Sequence, residues 1–172
     1  MYEQLIWVDI FDNEIGEGEK LETHVKEQLH RAFSVFIIHD GKMLLQRRAL
    51  DKYHSAGLWA NACCSHPRKG QTFEESVQDR LELELGIPKG ACLPQEVFSF
   101  VYYSRYDGLS EYEYDHVLVV DYNGKIIPNP EEIMETRWVE LAKLKQELEE
   151  EPQKFSTWFL IAAPRVLQMY IK

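Results

Sequence analysis

Two short runs in this 172-residue chain set unlike reactive groups beside one another: Cys63-Cys64-Ser65-His66-Pro67 and Glu111-Tyr112-Glu113. In an extended segment alternate side chains share a face, roughly 6.5–7 Å apart, so one site can use both Cys64 and His66. A thiol is an acid, a nucleophile or a metal ligand according to its ionisation, and an imidazole beside it is a proton partner or a second ligand. The competing explanation is a pair of small buried hydrophobes, a common use of cysteine. Glu111 and Glu113 also share a face, where two carboxylates repel unless a proton or a cation separates them. A divalent ion would resolve that repulsion, and two histidines with Glu111 and Glu113 make a suitable nitrogen and oxygen set. A solvated face of an edge strand would tolerate the same pattern.

His24, His30 and His66 lie near acidic, cysteine or strand-edge positions. One histidine taken alone is more often a solvated or internally satisfied side chain than a ligand. Arg47, Arg48 and Lys52 form a basic cluster, with Lys20 upstream and Arg80 further along. Arg80 and Glu84 are spaced i,i+4, which suits a surface ion pair. They could equally divide their labour, Arg80 meeting an anion and Glu84 a metal. Trp158 fits a core, or a pocket in which its ring face stabilises a cation.

The elements that position these groups follow from pattern. Leu5 to Phe11 reads as a strand, and DNEIGEGE after it as a turn. Arg31–His39 and Lys42–Arg47 are strands joined at Asp40-Gly41, a hairpin signal. Asn61–His66 is a short segment closed by Pro67. Thr72 with Glu75 forms a capping box for a helix over 73–85, whose buried stripe is Phe73, Val77, Leu81 and Leu85 and whose stop is Gly86 before Pro88. Glu96–Arg105 and Glu111–Tyr122 make a second hairpin around Asp107-Gly108. A strand at Thr136–Val139, a helix at Leu141–Glu150 ended by Pro152, and a helix at Ser156–Tyr170 kinked or restarted at Pro164 complete the order. That order is α+β, a mixed sheet sandwiched between helices, in one domain over 1–172. No glycine-rich dinucleotide or phosphate loop is present.

Composition narrows the partners. With 19 basic and 29 acidic residues the net charge is -10, so the surface repels a polyanion and nucleic acid is not an expected partner. A small anion needs only two or three cations in one pocket. Three cysteines and an N-terminal stretch without a basic-then-apolar pattern fit a reduced, cytoplasmic protein. No apolar run approaches the ~20 residues of a membrane-spanning helix, and no membrane partner is expected.

Together HRAFSVFI, LLQRRAL, GLWANACCSHP, the helix ending in ELGIP, Glu-Tyr-Glu-Tyr-Asp, EIMETRWVEL and FSTWF resemble type I isopentenyl-diphosphate isomerase, a branch of the Nudix superfamily, over nearly the whole chain. The resemblance implies a Nudix-like fold and an isomerase of isoprenoid biosynthesis that interconverts isopentenyl and dimethylallyl diphosphate through a tertiary carbocation. Matched by position, His24, His30, His66, Glu111 and Glu113 hold a divalent ion, Mn2+, Mg2+ or Zn2+. Glu84 serves a second ion, Mg2+, that bridges to the substrate diphosphate. Lys20, Arg48, Lys52 and Arg80 surround that diphosphate. Cys64 and Glu113 are the acid/base pair, Tyr103 the tyrosine bonded to the glutamate, and Trp158 the ring shielding the cation. Between His24 and His30 the spacing is one residue shorter than is usual in that family. The Nudix hydrolase signature is also incomplete: across Asp79-Arg80-Leu81-Glu82-Leu83-Glu84-Leu85-Gly86 only Glu84 of its three glutamates is in place. Hydrolysis of a nucleoside diphosphate derivative is the alternative activity, and a non-catalytic Nudix binding module the alternative from another class.

Overall fold

The structure, a computed structural model, describes residues 3–171. Its elements are β1 (Gln4–Val8), β2 (Glu14–Glu19), α1 (Lys20–Val25), β3 (His30–His39), β4 (Lys42–Arg48), β5 (Trp59–Asn61), β6 (Cys63–Ser65), α2 (Phe73–Leu85), β7 (Gln95–Tyr106), β8 (Leu109–Val120), β9 (Ile133–Glu140), α3 (Leu141–Glu150), a 3-10 turn (Pro152–Lys154) and α4 (Thr157–Tyr170). β3 is the axis. It runs parallel to β8 and antiparallel to β1, β4 and β6, while β4 carries β5 and β9 and β8 carries β7.

Because side chains alternate along a strand, β3 is buried on both faces. Phe33, Val35 and Ile37 pack with Val77, Leu81 and Leu85 of α2, and Phe36 and Ile38 pack with Leu144, Trp158, Phe159 and Ala162 of α3 and α4. Helices therefore cover both sides of a mixed sheet, as the sequence pattern predicts. The face under α4 changes character along its length. It is apolar at Phe36, Ile38, Val117 and Val119, then polar at His30, Ser34, Glu111, Glu113 and Asp115, all buried. The reactive groups occupy the polar end.

Local chemistry accounts for the boundaries. The Thr72–Glu75 capping box forms, and α2 ends on Gly86 at φ 65. Asp40 and Gly41 both take positive φ in the β3–β4 turn. Two expectations are corrected. DNEIGEGE is not all turn, because Glu14–Glu19 pairs with β1. Gly16 and Gly18 lie in that strand to make room for the Trp7 indole, and a Cβ at Gly18 would stand 2.2 Å from a Trp7 ring carbon. Nor does the last helix restart at Pro164. α4 continues through it, with Pro164 on the exposed side, where water can satisfy the carbonyl that loses its N–H partner. Among the described residues no helix is long and apolar enough to cross a membrane.

Candidate active site and metal cluster

Register brings distant residues together. His30 lies beside Glu113 in the β3–β8 pairing, and Ser34 opposite Cys64 in the β3–β6 pairing, so Cys64 and Glu113 sit on strands flanking β3. α1 adds two groups one turn apart: Lys20 opens it and His24, buried, lies in its last turn. The shortened spacing does not remove His24 from the site. The turn after α1, with Glu27 at φ 55, returns the chain so that the His24 and His30 rings are 5.0 Å apart and the His30 and His66 rings 4.9 Å apart.

One donor atom from each of His24, His30, His66 and Glu113 lies within 4.8 Å of the others, and all four residues are buried. His66 Nε2 is 2.9 Å and His30 Nε2 3.6 Å from Glu113 Oε1. His30 Nδ1 meets the Gln28 carbonyl at 2.8 Å, which makes Nδ1 the donor and leaves a lone pair on Nε2. His24 Nε2 and His30 Nε2 are buried with no hydrogen-bond partner. Unpaired buried imidazole nitrogens beside a carboxylate suit a divalent cation, so the residues fit the ion the resemblance implies.

Without the ion the cluster is electrostatically tense. Burial, then the neighbouring His66 and His30, holds His24 down to about 3. Burial alone would raise Glu113, but His30 and His66 outweigh it and keep the carboxylate well below its ordinary range. Burial pushes the Cys64 thiol far up, against the pull of Arg48 and with Glu84, Glu113 and Glu111 adding to it. The two shifts run in opposite directions, and both residues line one cleft.

The cleft beside the cluster is lined by all the expected diphosphate and cation contacts, Lys20, Arg48, Lys52, Arg80 and Trp158, together with Cys64, Glu84, Glu111 and Glu113. Trp158 is set by two anchors: the Ser156 N–H bonds the Trp59 carbonyl at 2.9 Å, and the indole N–H donates to Asn61 Oδ1 at 3.0 Å. The Arg48 guanidinium carbon lies 5.0 Å from the centre of the Trp158 ring. Arg80 pairs with buried Glu84, which also accepts from Gln46 Nε2 at 3.2 Å.

One expected role is not met by the geometry. Tyr103 is 47% exposed and donates to Glu27 on the surface. Its place is taken by Tyr102, 5% exposed, whose hydroxyl is 2.7 Å from Glu111 Oε2 and 2.8 Å from Glu113 Oε2. Register explains the exchange, since Tyr102 pairs with Glu113 and Tyr103 with Tyr112 on the opposite face. Counting outward from the two-residue Asp107-Gly108 loop would have found it. Glu111 lies beside the four-residue cluster, its carboxylate engaged by Tyr102 and by His54 Nε2, the latter 2.6 Å from Oε1. The sequence reading passed over His54, and also Glu132, which pairs with Lys52 and lies 3.7 Å from Arg80. Both come from loops, where periodicity carries no signal.

Comparison with known proteins sets this geometry in context. A profile of the NUDIX domain matches residues 28–159. The isopentenyl-diphosphate Delta-isomerase of Serratia proteamaculans is 44% identical over 162 residues, 93% of this chain and 89% of that protein. Isopentenyl-diphosphate Delta-isomerase 2 of Photorhabdus laumondii is 43% identical over 161 residues, 92% of this chain and 89% of its own length. Among solved structures, DR0079 from Deinococcus radiodurans superposes with a TM-score of 0.77 at 16% identity over 99% of this chain and all of that one, a likeness of fold.

Proposed function

The chain belongs to the isopentenyl-diphosphate Delta-isomerases, on a Nudix fold, and from that membership we infer that it interconverts isopentenyl and dimethylallyl diphosphate. The carrying observation is one cleft that holds a thiol, a glutamate, an indole face and four cations. The isomerisation adds a proton to the terminal alkene carbon of isopentenyl diphosphate and removes one from the carbon two positions away, with a tertiary cation between. Cys64 and Glu113, on strands flanking β3, are assigned as the proton-handling pair, and by microscopic reversibility they exchange roles between directions. Tyr102, bonded to Glu113, replaces Tyr103 as the tyrosine of the site.

Lys20, Arg48, Lys52 and Arg80 supply the positive charge that a diphosphate requires. Trp158 presents a π-face to the developing cation, and its burial helps keep out the water that would capture that cation as an alcohol. His24, His30, His66 and Glu113 would hold a divalent ion, Mn2+, Mg2+ or Zn2+, with Glu111 beside them. Glu84 would serve Mg2+ brought with the diphosphate. Such ions contribute charge neutralisation and fixed orientation.

The hydrolase alternative loses support at α2. A Nudix pyrophosphatase needs several carboxylates gathered on the bond it cleaves, whereas here Glu84 is buried and Glu82 points to solvent. The test is to supply isopentenyl diphosphate with Mg2+ and Mn2+, then a panel of nucleoside diphosphate derivatives. Dimethylallyl diphosphate from the first and no phosphate from the second supports the isomerase. The reverse pattern supports the hydrolase, and inertness toward both a binding module.

A further inference from the structure

His54 belongs to none of the roles above, yet it is buried in the wall of the cleft. Its Nε2 lies 2.6 Å from Glu111 Oε1 and its Nδ1 3.1 Å from Ser55 Oγ. With the hydrogen on Nε2 the ring donates to the Glu111 carboxylate, and Nδ1 accepts from the Ser55 hydroxyl. The ring has little freedom. It stacks on Tyr106 at 4.5 Å and 19°, stands edge-on to Tyr53 at 4.5 Å and 85°, and meets the Trp158 ring at 6.0 Å and 89°. The loop that carries it is tied back to β4 through Gly57 N–H to the Arg48 carbonyl at 3.0 Å, with Ser55 at φ 53.

Tyr102 has one hydroxyl hydrogen and faces two carboxylates, Glu111 at 2.7 Å and Glu113 at 2.8 Å. It cannot serve both fully. We propose that His54 is a positioning residue for this site: by donating to Glu111 it fixes that carboxylate and leaves the Tyr102 hydrogen for Glu113. His54 acts through Glu111 and Tyr102. The effect on catalysis rests on the isomerase reading, whereas the effect on Glu113 and its histidine partners does not.

The experiment compares His54→Ala, His54→Phe and His54→Gln with wild type for kcat and KM on isopentenyl diphosphate, for Mn2+ affinity by calorimetry, and for thermal midpoint. Phe keeps the stack on Tyr106 without a donor, and Gln restores an N–H near the Nε2 position. Supporting groups of this kind are worth about 10–100-fold in activity or metal affinity. The expected result is that Ala and Phe lower kcat and Mn2+ affinity by factors in that range, with KM nearly unchanged and the thermal midpoint of Phe retained, while Gln recovers most of both. A Phe variant matching wild type in kcat and Mn2+ affinity, or a Gln variant as impaired as Phe, overturns the proposal. Should wild type prove inactive, the isomerase reading fails, and the Mn2+ series still decides the role of His54.

Discussion

Replacing Tyr102 by Phe removes one oxygen and leaves the ring. That oxygen is 2.7 Å from Glu111 and 2.8 Å from Glu113, and both carboxylates are nearly excluded from water, at 5% and 6% exposure. A hydrogen bond to a charged group contributes about 1.5–3 kcal/mol. Since one hydrogen serves one carboxylate at a time, the loss counts once, and at about 1.4 kcal/mol per decade it amounts to roughly 10–150-fold in kcat. The control is the next residue. Tyr103 projects from the other face to Glu27, so Tyr103→Phe is an exposed change worth within about 0.5 kcal/mol and leaves kcat unaltered. Initial rates of dimethylallyl diphosphate formation, with thermal midpoints to verify folding, separate the two. An impaired Tyr103→Phe beside an unimpaired Tyr102→Phe refutes the strand register as the basis of the assignment.

Lys52→Ala removes one cation that pairs with Glu132 at the cleft, and a lost charge-assisted contact to the diphosphate should raise KM by about 10-fold or more; an unchanged KM would place the diphosphate elsewhere. Cys64→Ala should abolish isomerisation while keeping the thermal midpoint, and full activity in that variant would remove Cys64 from the reaction. Gly86→Ala puts a Cβ 2.9 Å from Ile127 Cβ at a φ of +65, which should cost at least about 1–2 kcal/mol and lower the thermal midpoint, the contrary result being no shift. In metal-free protein His24 is held down to about 3 from an ordinary 6.5. The unfolded chain therefore takes up a proton that the folded chain refuses between those values. Its contribution is complete above about pH 6.5 and declines toward pH 3, by at most about 1.4 kcal/mol per pH unit. Urea midpoints in chelator should fall from pH 7 to pH 5, and a rise would contradict the buried neutral imidazole.

Much of the frame was legible because its signals are periodic. β3, α2, α3 and the two hairpins follow from alternation, a capping box and turn dipeptides, and the α2 limits at Phe73 and Leu85 match the sequence reading. What escaped is what depends on packing between segments. Gly16 and Gly18 resemble turn residues until the Trp7 indole is seen against them. The residues of the candidate metal cluster were named one by one through family likeness, but the His54 contact to Glu111 beside it comes from an aperiodic loop. Tyr102 and Tyr103 differ by one residue in sequence and by opposite faces of β7 in space, so only register could choose between them.

The central claim is that this cleft moves protons to convert a homoallylic diphosphate into an allylic one and leaves the phosphates intact. Isopentenyl diphosphate incubated with the Mg2+- and Mn2+-loaded protein in deuterated water, followed by proton and phosphorus NMR, tests it directly. The account predicts dimethylallyl diphosphate carrying deuterium, with no free phosphate and no exchange in the Cys64→Ala variant. Unlabelled, unchanged substrate, or phosphate released without isomerisation, would contradict it.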